Sequence, residues 1–178
     1  MAKSFLNISG YPLGLRNNNP GNLRTSADRW LGKIGDNQGF VVFENIAYGT
    51  RALGIDLRTK MRNGYDTIEA IITRYAPPSE NDTAGYISFV SGSTGFGKLQ
   101  PLNPDIATLL KLERAIINFE NGSHYGALVT DRDIMEGLEI IEGLETGPDN
   151  VTGWAGIGVG SLLLIGAVIL VLTMPKTK

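Results

Sequence analysis

From Trp154 to Met174 the chain reads WAGIGVGSLLLIGAVILVLTM, without a charged residue, and that run limits what the rest can be. About 20 such residues rising about 1.5 Å each match the hydrocarbon core of a bilayer, so the pattern predicts one transmembrane helix over 154–174. A buried core helix is the competing reading, but such helices seldom run this far without a polar face. Trp154 suits an interfacial anchor, Pro175 a stop, and Lys176 and Lys178 a basic tail over 175–178. Gly156 and Gly160 are spaced for close approach of two helices, a route to self-association. What remains divides into one domain over 1–145 and a Gly/Pro linker over 146–153. The tail lysines favour a cytoplasmic tail. Set against them, the N-terminus offers no apolar stretch for export, so the domain is expected on the cytoplasmic side during synthesis.

Composition then removes chemistry. The 178 residues contain no Cys and His124 alone, which excludes thiolate catalysis, disulfides and multi-His metal sites. No cofactor and no metal is expected. Residues 1–130 carry 13 Lys/Arg against 11 Asp/Glu, whereas 131–149 carry seven acids against Arg132. Nothing in that distribution makes a basic face for nucleic acid.

Periodicity and punctuation predict a mainly α domain with a small β-hairpin. LRNNNPGNLR, from Leu15 to Arg24, is dense in Asn, Pro and Gly and reads as a structured loop. GFVVF (39–43) is a β run, paired with the region around Trp30-Leu31. Apolar spacing predicts a helix from Tyr48 to about Arg62, with Glu44 near its cap, and another opened by Asp66 with Glu69 as in a capping box. Pro77-Pro78 stop the second. A short helix from Thr83 to Val90 follows, capped by Asp82, and then a glycine-rich loop. Asn103-Pro104 opens a helix that runs to Glu120, and a last helix spans about Asp131 to Leu144.

Glu120 ends an apolar-periodic segment just before Asn121-Gly122. A carboxylate there faces the negative end of the helix dipole among apolar neighbours, and both raise its pKa. A Glu kept protonated near neutral pH is what a general acid needs. Position alone leaves a second reading open, a solvent-facing Glu with no role. Glu80, in PPSENDT ahead of a helix, is either a cap or an ionised partner of the kind glycosidases use.

FENGSHY after an apolar helix resembles the segment that ends the catalytic helix of the lysozyme superfamily, where its Glu is the general acid. NNNPGNLR with the downstream GFVVF resembles the Asn-loop and β-hairpin of bacterial and phage muramidases and glucosaminidases. TIEAIITRYAPPSENDTAGYISFV resembles the helix-loop-helix lining their sugar cleft. Together these cover about residues 14–126. The resemblance implies a lysozyme-like (α+β) domain, circularly permuted because the acid follows the loop and hairpin. It also implies Glu120 as acid and Glu80 as second carboxylate, with Glu44 a third candidate. Asn22, Tyr75, Asn81, Tyr86 and Tyr125 would touch substrate, while Arg16, Asn18 and Asn19 fix the Asn-loop. The implied partner is bacterial peptidoglycan, cut by a muramidase or lytic transglycosylase during phage entry. With the membrane helix, the expected location is single-pass in a virion internal membrane and in the host inner membrane during assembly, beside capsid proteins and a lipid bilayer. The alternatives are a non-catalytic virion membrane protein with a glycan-binding domain, and a cellular wall-remodelling enzyme.

Overall fold

Asn45 begins the longest core-facing element of the N-terminal half. Its side chain accepts from the Tyr48 amide at 3.1 Å and starts helix α2, Ile46–Arg62, so Asn45 and not Glu44 is the cap. Ile46, Leu53, Leu57 and Met61 form the buried stripe of α2, and Asn63-Gly64 end it. The computed structural model describes residues 3–145.

Ahead of α2, the short helix α1 (Leu13–Arg16) is a single turn where a loop was expected, entered from Pro12 at φ −54°. Strands β1 (Lys33–Asn37) and β2 (Phe40–Phe43) make one antiparallel hairpin. Its register is set by Gln38-Gly39, both at positive φ, and not by the Trp30-Leu31 region. The Asn-rich stretch clamps β2 from its other side. Asn19 donates to the carbonyls of Leu23 and Val41 at 2.9 Å, and the Phe43 amide donates to the Asn17 carbonyl at 2.9 Å. Asn18 is fully buried and joins Ser4, Phe5, Phe43 and Glu44.

Helix α3 (Ile68–Tyr75) is capped by Thr67, whose hydroxyl accepts from the Ala70 amide at 3.2 Å; the Asp66–Glu69 capping box does not form. Helix α4 (Thr83–Thr94) starts on Asp82 as expected and runs one turn past Val90, to a left-handed Gly95. Asp105, the residue directly after Asn103-Pro104, caps α5 (Ile106–Gly126). Helix α6 (Asp131–Glu145) lies on α2, with Leu138 and Ile141 closing over Gly54. The core is the meeting of α2, α3, α5 and α6: Leu53, Leu57, Ile68, Ile71, Ile72, Leu112 and Ile116 are all at 0 % exposure and Leu138 of α6 at 1 %, and burial of such side chains favours the folded state.

Two expectations are corrected. The described residues form a mainly helical domain whose strands number five and four residues, in place of an α+β lysozyme-like domain joined to a membrane helix. No helix among them is long and apolar enough to cross a membrane. The longest, α5, carries Lys111, Glu113, Arg114 and Glu120 within its 21 residues. The predicted linker, transmembrane run 154–174 and basic tail lie outside the described residues, and the single-pass membrane location inferred from that run is withdrawn.

Candidate active site

Glu120 stands in the last turn of regular α5, because Gly122 leaves helical geometry at φ +73°, ψ +145°. Its two carboxyl oxygens have separate partners. Tyr86, on α4, donates its hydroxyl to Oε1 at 2.9 Å, and Asn22 donates its amide to Oε2 at 2.9 Å. Asn22 reaches it from a left-handed residue at φ +51°, a conformation Asn tolerates better than most side chains. The loop is pinned to the helix end beside it: Asn121 donates to the carbonyls of Pro20 (2.7 Å) and Ile117 (2.9 Å), and the Tyr75 hydroxyl donates to the Gly21 carbonyl.

Burial pushes the Glu120 carboxyl above its ordinary range, and the hydrogen bonds from Asn22 and Tyr86 only partly offset that. Burial also drives the Tyr86 and Tyr75 hydroxyls far up, with the Glu120 charge adding to it, so both stay neutral and Tyr86 stays a donor. The result is a protonatable carboxyl of fixed direction, able to give a proton to a group in the adjoining space and take one back.

That space is a cleft of about 320 Å³ bordered by Glu120, Asn22, Tyr75, Glu80 and Asn81, together with Trp30 and Phe40 from the hairpin side. Glu80 faces Glu120's cleft from the loop between α3 and α4 and forms an ion pair with Arg24 at 2.8 Å. With 57 % and 71 % of the two side chains exposed, that pair is worth at most about 1 kcal/mol and can open for a ligand. Asn81 is exposed and donates to the Pro77 carbonyl at 3.3 Å.

The structure does not bring all the predicted residues together. Tyr86 is only 1 % exposed; its ring stacks on Phe119 with centroids 3.7 Å apart, so it holds the acid and offers no face to substrate. Tyr125 lies away from the cleft, donating to the Gly10 carbonyl at 3.2 Å with its ring against Tyr11 and His124. Among the described residues, no group of three or more His, Asp or Glu is placed to hold a metal ion.

Over 117 residues, 62% of this chain and 72% of the relative, the sequence is 40% identical to Protein P5 of Pseudoalteromonas phage PM2. The chain belongs to the Protein P5 family. No family model matches it. Membership in the Protein P5 family makes this a phage-type protein and carries no enzyme class, so the chemistry rests on the cleft itself.

Residues that sequence reasoning passed over complete that cleft beside the P5 relationship. Arg24 closes the quoted Asn-loop pattern, yet only the fold pairs it with Glu80 and sets it over the Phe40 ring, and only the fold brings Trp30 to the cleft border. Asp56 and Lys60 also border it, paired at 2.5 Å, and their i,i+4 spacing was a readable signal. Glu113 was missed as well. It lies two turns before Glu120 on the same helix, fully buried, and among the described residues neither carboxyl oxygen has a hydrogen-bond partner. An acid inside the apolar stripe of Leu109, Leu112 and Ile116 was the signal that could have found it.

Proposed function

We propose that this chain is a virion-associated phage lytic protein that cuts the glycan strand of bacterial peptidoglycan, with Glu120 as the acid. The observation that carries the reading is the half-buried Glu120 carboxyl, its pKa raised by burial, directed by Tyr86 and Asn22 at the edge of an open cleft. Glu120 gives its proton to the glycosidic oxygen as the bond from that oxygen to the sugar's anomeric carbon breaks. The carboxylate left behind takes a proton from the attacking hydroxyl, which is water in a muramidase and the sugar's own C6 hydroxyl in a lytic transglycosylase. Glu80, on the same cleft, supplies negative charge for the cationic sugar once its pairing with Arg24 opens. Membership in a phage protein family supports the virion-associated part of this reading, in company with other virion components.

A second reading, a glycan-binding virion protein without catalysis, is favoured by one feature: the Arg24 guanidinium already occupies Glu80. A zymogram separates the two. The full chain should clear peptidoglycan, and Glu120→Gln should remove clearing by a factor of about 10² or more while leaving the circular dichroism unchanged. Undiminished clearing by that variant would take Glu120 out of the mechanism. Mass spectrometry of released fragments distinguishes reducing ends from 1,6-anhydro ends.

A further inference from the structure

The Glu120 cleft does not stop at α3. Through Lys60, Arg74 and Pro77 it continues into a second hollow of about 690 Å³, walled by Tyr65, Thr67, Glu69 and Thr73. The cations along this groove are not equivalent. Arg24 is paired with Glu80, and Lys60 holds both oxygens of Asp56 at 2.5 and 2.6 Å. Arg74, exposed in the last turn of α3, has no carboxylate partner among the described residues. Its guanidinium carbon instead sits 4.6 Å from the centroid of the Tyr65 ring.

A guanidinium stacked on an aromatic face gives up much of its rotamer freedom before any ligand arrives, and keeps its N–H edge free. That edge matches a carboxylate through two parallel hydrogen bonds. The glycan backbone of peptidoglycan is itself uncharged between its substituents, so a fixed cation beside the cutting position is of use only toward an acidic branch.

We propose that the hollow beside the cleft receives the carboxylate-bearing branch of the glycan strand and that Arg74, held over Tyr65, is the residue that binds its carboxylate. The inference rests on the glycan reading of the Glu120 cleft. Two sources share this chemistry, the carboxylates of a branch peptide and the lactyl carboxylate that is freed where that peptide has been removed.

The test is cosedimentation of the full chain carrying Glu120→Gln, which binds without turnover, with three insoluble glycans. Intact sacculi present peptide carboxylates, amidase-stripped sacculi present lactyl carboxylates alone, and chitin presents neither. Adding Arg74→Gln should weaken binding to intact sacculi about tenfold and leave chitin binding within about twofold. A matching loss on stripped sacculi shows that the bared lactyl carboxylate is accepted as well as the peptide; retention there assigns the peptide alone. Equal weakening on all three glycans, or no change on any, overturns the inference while leaving the glycan reading in place. Should the parent chain bind none of the three, the glycan reading falls and the inference with it.

Discussion

Tyr86 and Glu120 show how one hydrogen bond sets the working range of an acid. The Tyr86 hydroxyl stabilises the ionised carboxylate, so it lowers a pKa that burial has raised. A general acid works in its protonated form, so activity should fall as pH rises through the Glu120 pKa, above the ordinary carboxylate range. Tyr86→Phe keeps the ring stacked on Phe119 and deletes only the donor. Its descending limb in a profile of kcat/KM against pH should therefore move to higher pH, with a stability loss of about 1 kcal/mol. A limb that stays put or moves toward acid would show that Tyr86 does not tune Glu120.

At the scale of elements, the site depends on where α5 stops and on how closely α2 approaches the Asn-loop. Gly122 breaks the regular geometry of α5 with a positive φ, and a side chain there would meet no atom within 4 Å. Gly122→Ala should therefore cost only backbone strain, about 1 kcal/mol. Gly49, on α2, is a different case. A methyl group there would be driven into the carbonyl oxygen of Asn18 and would meet Pro20 Cδ at 2.9 Å. Because Asn18 is the buried hub joining the N-terminal segment to the hairpin, Gly49→Ala should cost about 3 kcal/mol and displace Asn22 from Glu120. Chemical denaturation of the two variants checks both; equal losses would mean that the close approach of α2 contributes nothing.

For the molecule as a whole, the α2–α5–α6 junction contains an acid that the fold does not reward. Burial pushes the Glu113 carboxyl well above its ordinary value, and Arg114 opposes this only in part. A carboxyl with a raised folded-state pKa contributes its full stability below the unfolded value, where both states are protonated. That stability is lost as pH rises through the folded pKa, since the unfolded chain releases the proton first. Glu113→Gln removes the titration. Its melting temperature should match the unsubstituted protein near pH 4 and exceed it increasingly toward pH 8, as read by thermal unfolding across that range. Asp133, whose pKa is lowered by Lys3 and Thr130, works in the opposite direction but is common to both proteins and cancels in the difference. A difference independent of pH would mean that Glu113 is not the titrating group.

The five longer helices, the Asp82 start of α4, the Asn-Gly break in α5 and the acid just before it could be read from the amino-acid order, because caps, breakers and 3.6-residue spacing act within a few residues of themselves, whereas the single turn of α1 could not. Starts with several polar candidates side by side could not. Asn45 displaced Glu44, and Thr67 displaced Asp66, since the cap is whichever side chain the incoming backbone turns toward the free amides. Strand β1 fell at Lys33–Asn37 because the turn at Gln38-Gly39 sets hairpin register. The partners of Glu120 lie 98 and 34 residues away, so only packing could decide that Asn22 and Tyr86 direct it while Tyr125 does not. Desolvation has the same origin. An apolar neighbourhood can be guessed from spacing, but the burial that raises the Glu120 and Glu113 pKa values comes from α2, α4, α6 and the Asn-loop closing around α5, and that closure is a property of the tertiary fold alone.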